Sequence, residues 1–406
     1  MSDNKSYDVV VVGAGVIGCS IAYHLTKAGL KTALLEKEQV GAGASGANFG
    51  MVQSNDVEIE HSIPMVLASY ARYNTLEEEL GMSIGFRRIG ALRLLSTEAQ
   101  WKASEERAKI LTAAGIPYEF IPPERIREIE PMVDTSALYG GTYSSYQGQL
   151  NPFLLMWAYL RRAIPLGLAL FTYTEVTGFD IENGRMRGVH TNRGHFSAGT
   201  VVLATAAWTR PLGRLIGQDW NIHTFRASAM VSEPIYDLKL NTIIATADHI
   251  EMEVTGKDDA ELTVLALSQT PDGHFLIAQA DRPGEVTNPA ISHAAPKTIA
   301  MMAGRFFPML RKARILRAWT AATTYTDDGC PLLGPVKEIE GLILAASYRS
   351  AIIHSPLAGE VVTQLVTTGR CDVIDISPFA PDRVMKEAET IYTVKSSYSG
   401  TMEENF

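Results

Sequence analysis

Three observations predict an α/β fold that opens on a strand–turn–helix–strand unit. Residues 7–12 read YDVVVV, an apolar run without alternation, as in a strand buried on both faces of a parallel sheet. The glycine-rich turn Gly13-Ala14-Gly15-Val16-Ile17-Gly18 follows at once. Residues 17–28 are then amphipathic at helical spacing and stop at Gly29, and residues 31–35 form a second strand with Glu36 at its end.

Length and composition bound what surrounds this unit. At 406 residues the chain holds two domains, three at most, at roughly 100–200 residues each. Hydrophobic residues at 46% and charged residues at 20% are globular proportions and argue against disorder. The chain has 36 basic and 45 acidic residues, a net charge of −9. No basic cluster exceeds pairs such as Arg87-Arg88 and Arg161-Arg162, which argues against a nucleic-acid partner. Cys19, Cys330 and Cys371 lie far apart with no C-x-x-C pair. They build no disulfide framework, supply no metal site, and fit a reducing compartment. The leading MSDNKSYDVVVVGAG lacks the pattern of a signal peptide, and no stretch approaches the ~20 apolar residues of a spanning helix. The expectation is a soluble, cytoplasmic protein.

The order of the first forty residues carries chemistry. Gly13 permits a tight turn, Gly15 lets backbone approach a pyrophosphate, and Gly18 lets the helix pack against the strand. The helix N-terminus offers unpaired N–H groups and partial positive charge to phosphates. Glu36 can accept hydrogen bonds from ribose hydroxyls. These features predict a dinucleotide site and leave flavin or nicotinamide open.

The next segment, Gly41-Ala42-Gly43-Ala44-Ser45-Gly46-Ala47-Asn48-Phe49-Gly50, resembles the stretch that wraps FAD in the D-amino-acid oxidase family, with Ser45, Asn48 and Gly50 at matching places. That family includes glycine and sarcosine oxidases and D-amino-acid dehydrogenases. The resemblance continues along nearly the whole chain. Gln149-Leu150-Asn151-Pro152-Phe153 looks like the family's entry into a helix, here residues 153–163. Residues 175–179 begin a strand, Asn183-Gly184 is a hairpin turn, residues 187–191 form a strand, and Arg193-Gly194 turns again. TVVLATAAWT at 200–209 is similar to the family's VVNAAGAWS strand, with Ala206 where glycine is usual. DDGCPLLGP at 327–335 is similar to PDGLPLIGP; residues 341–346 form a strand, and YRSAII at 348–353 is similar to GHFRNGIL.

This resemblance implies a Rossmann-type FAD-binding domain and a discontinuous α+β substrate domain on an antiparallel sheet, as in glycine oxidase. Residues 1–80, 146–220 and 321–380 would form the first, residues 81–145 and 221–320 the second, and 381–406 a C-terminal extension with a polar tail from 394. Locally, residues 86–94 read as paired strands with a turn, 98–114 as a charged helix, 274–278 as a strand and 299–310 as a helix. Noncovalent FAD is implied, held by Gly13, Ala14, Gly15, Val16, Ile17, Gly18, Glu36, Lys37, Ser45, Gly46, Ala47, Asn48, Gly50, Met51, Val176, Ala204, Thr205, Trp208, Arg349, Ser350, Ala351 and Ile352.

The family oxidises an amine by hydride transfer to flavin, after which the imine hydrolyses. Many small-substrate members clamp the substrate carboxylate with an arginine in a segment like WAGLRP. The text here is Trp319-Thr320-Ala321-Ala322-Thr323-Thr324, so Thr323 stands where that arginine would be. Arg349 becomes the expected clamp, with Tyr348 and His354 beside it, and Arg87, Arg88, Arg93 and Arg226 as the fallback. Cys330 reads as a structural thiol, and Asp327 and Asp328 as turn-shaping residues. The expected activity is oxidation of an amino acid or N-substituted amino acid, opine-like, D-configured or a secondary amine. The chain would serve as the flavin subunit of a heteromeric dehydrogenase, with partners carrying further redox centres. A single-chain oxidase that makes peroxide, and a noncatalytic FAD-binding subunit, stay open, as does the electron acceptor.

Overall fold

The computed structural model describes residues 5–54, 62–247, 262–283, 291–383 and 385. Its strands, numbered in chain order, make three sheets. The apolar run forms β1 (Lys5–Val12), and Val9, Val10 and Val11 are fully buried in the middle of the first sheet. On one side β1 pairs in parallel with β2 (Thr32–Leu35), and β2 with β9 (Ala169–Phe171). On the other side lies β12 (Gly194–Leu203), also parallel. The two halves of β12 have different neighbours. Residues 194–197 pair with β11 (Arg185–Thr191), and residues 201–203 with β19 (Leu342–Ala346), which β18 (Leu332–Pro335) flanks. Asn183 and Gly184 join β10 (Val176–Glu182) to β11 with φ of 51° and 74°, a turn that needs left-handed backbone at both positions.

Helices cover this sheet. Val16–Lys27 crosses Ala351–Thr368 so closely that a Cβ on Gly359 would lie 2.2 Å from His24 Nδ1. Pro152–Ala163 packs beside it.

The second sheet runs β17 (Ile315–Thr326), β13 (Ile222–Pro234), β16 (His274–Pro283), β15 (Leu262–Gln269), β14 (Ile243–Thr246), β5 (Ala91–Leu95), β7 (Gly140–Ser144) and β6 (Glu119–Ile121). Among the described residues, only β14 and β5 are parallel neighbours in this sheet. Leu92, Ile244, Leu267, Phe275 and Ile277 pack on its back face against Ile299 and Phe306 of the helix Ala294–Phe306. A small third sheet joins β3 (Met51–Gln53), β8 (Gln147–Gln149) and β4 (Arg87–Arg88).

Several expectations change in detail. Residues 86–94 are not a hairpin: β4 pairs with β8, whereas β5 pairs with β7 and β14. Gly90 makes the crossing at φ 69°, where a Cβ would meet the Tyr143 hydroxyl at 2.6 Å. Residues 321–326, expected with the dinucleotide unit, extend β17 in the second sheet. The helix expected over 299–310 starts earlier and ends at Phe306, before Pro308 opens a 3₁₀ turn. The strand expected over 200–209 ends at Leu203, and Ala206–Trp208 is a 3₁₀ turn with Ala206 at φ 44°, which explains why glycine suits that place. The tail from 394 lies outside the described residues.

A half-buried carboxylate, Asp328, and a fully buried one, Glu130, contrast. Arg383 grips Asp328 through Nε at 2.6 Å and Nη2 at 2.8 Å, and also donates to the carbonyls of Cys330 and Pro331. Burial pushes the Asp328 carboxyl up, but its hydrogen bonds and the Arg383 charge outweigh this and hold it below its ordinary value. Glu130 is fully buried, with no cation paired to it among the described residues. Its Oε2 accepts from the N–H groups of Asn241 and Thr242 at 2.9 and 3.1 Å, while Oε1 has no partner among the described residues. Burial pushes its carboxyl from 4.5 to about 7.

The folded state therefore holds the Glu130 proton more tightly than the unfolded chain. The resulting stabilisation is present below about 4.5 and is lost as pH rises through about 7. Thermal melts should show this loss, up to about 3 kcal/mol between the two limits. Glu130→Gln should flatten that part of the profile; an unchanged slope in the variant would place the titration elsewhere.

Candidate active site

The C-terminal end of β1 sets the geometry. Gly13 turns at φ 99°, and a Cβ there would lie 2.6 Å from the Ala204 carbonyl oxygen. A Cβ on Gly18 would lie 1.8 Å from the Gly13 oxygen, and one on Gly15 would meet Ser45 Oγ at 2.9 Å. The turn thus presses against β12 and against residues 43–48 while its backbone stays open. Glu36 is oriented by two backbone donors, Ala14 N–H to Oε2 and Glu38 N–H to Oε1, both at 2.9 Å. The Val16 N–H donates to Ser45 Oγ at 3.0 Å, so Ser45 sits on the first turn of the helix. Asn48 folds its own loop, donating to the carbonyls of Ala44 and Ser45 and accepting from Gly50 N–H at 2.7 Å.

A cavity of about 1120 Å³ runs from this turn to the front face of the second sheet. Of the sequence-derived cofactor residues, Gly13, Gly15, Ile17, Glu36, Lys37, Ser45, Ala47, Asn48, Met51, Val176, Ala204, Thr205, Trp208, Arg349, Ser350, Ala351 and Ile352 line it. Ala14, Val16, Gly18, Gly46 and Gly50 do not; they support the lining from behind. Gly46 and Gly50 abut backbone, since a Cβ would lie 2.3 Å from the Gly41 oxygen and 2.0 Å from the Leu150 oxygen respectively. Lys37 Nζ stands 4.1 Å from the Trp208 ring centre. The helix Ala351–Thr368 starts at the cavity wall, which gives the cavity a second helix N-terminus.

The candidate catalytic residues separate. Arg349 is exposed and lines the cavity, its guanidinium 5.7 Å from the Tyr325 ring centre. Tyr348 lines it too, 8% exposed, with a hydroxyl that has no partner among the described residues. Burial pushes that phenol well up. His354 is buried one turn along the helix, its ring 5.8 Å from that of Tyr348, and is not part of the lining. Thr323 lines the cavity and donates to the Phe225 carbonyl at 3.4 Å.

Among the fallback arginines, Arg93 alone is in the lining. Arg87 donates to Gln149 and to the Gln269 carbonyl, and Arg88 to Asn74. Phe49, Gln53 and Gln279 line the substrate side as well and carried no signal in the sequence. Trp319, from the segment that lost its arginine, donates from Nε1 to the Ala47 carbonyl at 2.9 Å and packs its ring edge-on near Phe49.

The residues present fit FAD. Gly13 and Gly15 bring main chain to the lining, two helices start at it, and the Glu36 carboxylate, oriented by the Ala14 N–H, lines it beside the turn. Cys330 is 1% exposed and outside the lining, and burial, with the Asp328 charge, pushes its thiol up to about 12. It makes a poor attachment point.

Comparison with known proteins agrees. A family model described as FAD dependent oxidoreductase, DAO, matches residues 8–365. Glycine oxidase from Geobacillus kaustophilus is 29% identical over 385 residues, covering 93% of this chain and 97% of that protein. Sarcosine oxidase subunit beta from an Arthrobacter species is 29% identical over 387 residues, covering 93% and 91%. The crystal structure of L-proline dehydrogenase from P. horikoshii superposes with a TM-score of 0.83 at 26% identity, covering 93% of this chain and 97% of that one.

Acid denaturation should release yellow flavin into the supernatant; colour retained in the pellet would mean a covalent bond. Glu36→Arg replaces the oriented carboxylate beside the turn with a cation, so FAD content should fall at least ~10-fold. A stoichiometric flavin spectrum in that variant would remove Glu36 from the ribose site.

Proposed function

Because the chain belongs to the DAO family of FAD-dependent oxidoreductases and acts on amino-acid C–N bonds, we propose that its substrate is an N-substituted amino acid, opine-like, and that it works as the flavin subunit of a heteromeric dehydrogenase. The observation that carries this reading is the single cavity joining the dinucleotide turn to the second sheet, with Arg349 in its wall and Thr323 where a small-substrate clamp would stand.

FAD, held by the Gly13–Gly18 turn and Glu36, would supply the hydride acceptor for oxidation of the carbon that bears nitrogen, and water would hydrolyse the imine product. The chain's own residues do the rest. Gly13–Gly18 backbone and the helix N-terminus bind phosphate, and Glu36 binds ribose. Arg349 holds the substrate carboxylate with a planar fork, which fixes the direction of the neighbouring C–H bond. Phe49 and the face of the second sheet line that end of the cavity, and Trp319, bonded to the Ala47 carbonyl, packs edge-on against Phe49.

Likeness to a sarcosine oxidase subunit beta supports the subunit reading. So does the surface: Phe153 and Trp157, one helical turn apart, are each 47% exposed, and Ile164 and Leu166 extend the apolar strip. Likeness to glycine oxidase supports a second reading, a single-chain oxidase. Affinity purification from the native source separates them. Stoichiometric companion polypeptides support the first; a lone chain that makes hydrogen peroxide from an amino acid supports the second.

A charge-assisted clamp is worth on the order of 1.5–3 kcal/mol, roughly 10- to 150-fold in binding. Arg349→Ala should lower kcat/KM by that factor with FAD retained, and Arg349→Lys should restore part of it. Unchanged turnover of a carboxylate substrate in Arg349→Ala would move the clamp elsewhere.

A further inference from the structure

We infer that Gln149 is a positioning residue for the substrate wall: its buried amide joins the cofactor loop to the second sheet and holds Phe49 at the cavity. This inference rests on the proposed amine-oxidising role and adds to it a residue that stands behind the lining.

Gln149 lies on β8, the middle strand of the third sheet, opposite Met51 on β3 and Arg87 on β4. Residues directly opposite one another project from the same face of a sheet. That face meets β15 of the second sheet, where Gln149 Nε2 donates to Ser268 Oγ at 2.8 Å. The same nitrogen donates to the Phe49 carbonyl at 3.2 Å. Gln149 Oε1 accepts from Arg87 Nη2 at 2.8 Å, and that guanidinium also reaches the Gln269 carbonyl at 3.1 Å. Gln149 is 3% exposed, and Ser268 is fully buried. Arginine only donates and a carbonyl only accepts, so these two neighbours fix which end of the amide faces which. Glutamate in this place would lack both donors, and leucine would lack the acceptor as well.

The consequence falls on Phe49. Its carbonyl is tied on the buried side, while its ring lines the cavity, clusters with Ala229 of β13 and Ala278 of β16, and stands edge-on to Trp319 of β17. Two residues earlier, Trp319 Nε1 donates to the Ala47 carbonyl. The loop that carries Ala47, Asn48 and Phe49 therefore hangs from the second sheet at two points. One is direct, through Trp319; the other runs through Gln149 to Ser268. The same loop begins at the cofactor turn, where Ser45 accepts from the Val16 N–H. The amide thus sets how the second sheet stands against the cofactor loop at Phe49. Without its donors a buried carbonyl loses its partner, an unfavourable state that the loop can escape only by turning, and the Phe49 ring turns with it. Gly13–Gly18 and Glu36 lie outside this chain of bonds, so FAD retention should not change.

The test uses the flavin-loaded protein and methoxyacetate, an isostere of sarcosine with no nitrogen to oxidise. Its dissociation constant is read from the shift in flavin absorbance, and anaerobic bleaching by sarcosine gives KM and the limiting rate. Gln149→Leu and Gln149→Glu should each raise the methoxyacetate constant about 5- to 30-fold, and the sarcosine KM with it, at near-constant limiting rate and FAD content. Gln149→Glu keeps the acceptor for Arg87 and strengthens that bond by charge, so it would rescue a role confined to stability but not the hold on Phe49. Phe49→Leu should raise the constant by a similar factor, and adding Gln149→Glu to it should change little. Hydrogen exchange of residues 44–51 should quicken in both Gln149 variants. An unmoved constant and unmoved exchange in Gln149→Glu, or effects of Gln149→Glu and Phe49→Leu that multiply in the double variant, would overturn the joint. The expected shifts without bleaching by any amine would leave the joint standing and overturn the amine-oxidising role.

Discussion

Everything in the cavity depends on three main-chain segments meeting where no side chain fits. The Gly13 carbonyl oxygen lies where a Cβ of Gly18 would be, and the Ala204 carbonyl lies against Gly13. This contact brings the end of β1, the first turn of its helix and the end of β12 to one point. Once they meet, the Gly13 and Val16 N–H groups are taken up by the Leu35 carbonyl and Ser45 Oγ, and the Ala14 N–H holds Glu36 at the cavity lining beside Gly13 and Gly15. A methyl group at Gly18 would push the helix off the strand, and the phosphate cradle would go with it.

The second sheet contributes the opposite wall. Its back face is a conventional aliphatic core against the helix Ala294–Phe306. Its front face carries alanines and threonines where it looks across the cavity. β17 is the strand common to both regions. It completes the second sheet through β13, and its C-terminal end leads by way of residues 327–331 into β18 of the first.

What the sequence revealed and what it concealed follow from chain distance. The dinucleotide unit was legible because its strand, turn, helix and acid are contiguous, and the spacing of Gly13, Gly15, Gly18 and Glu36 states its own purpose. Thr323 was legible as a substitution within a recognisable segment. The destination of β4 and β5 was not, because Arg87 and Ala91 are four residues apart yet join different sheets through partners near residue 145 and beyond. The cavity-lining row of Arg93, Ala245, Ala266, Ala278 and Ala229 was not legible either: each alanine is unremarkable alone, and only the register of five strands drawn from separate stretches makes them neighbours.

The Asp328–Arg383 pair also ties distant stretches of chain together. Asp328 belongs to the loop that feeds β18 and β19, and β19 lies directly beside β12. Arg383, fifty-five residues further on, is held to that loop through Asp328 and through the carbonyls of Cys330 and Pro331. Cleavage between Asp328 and Arg383 would turn this clasp from a contact within one chain into a contact between two pieces, to be held by association rather than by connectivity.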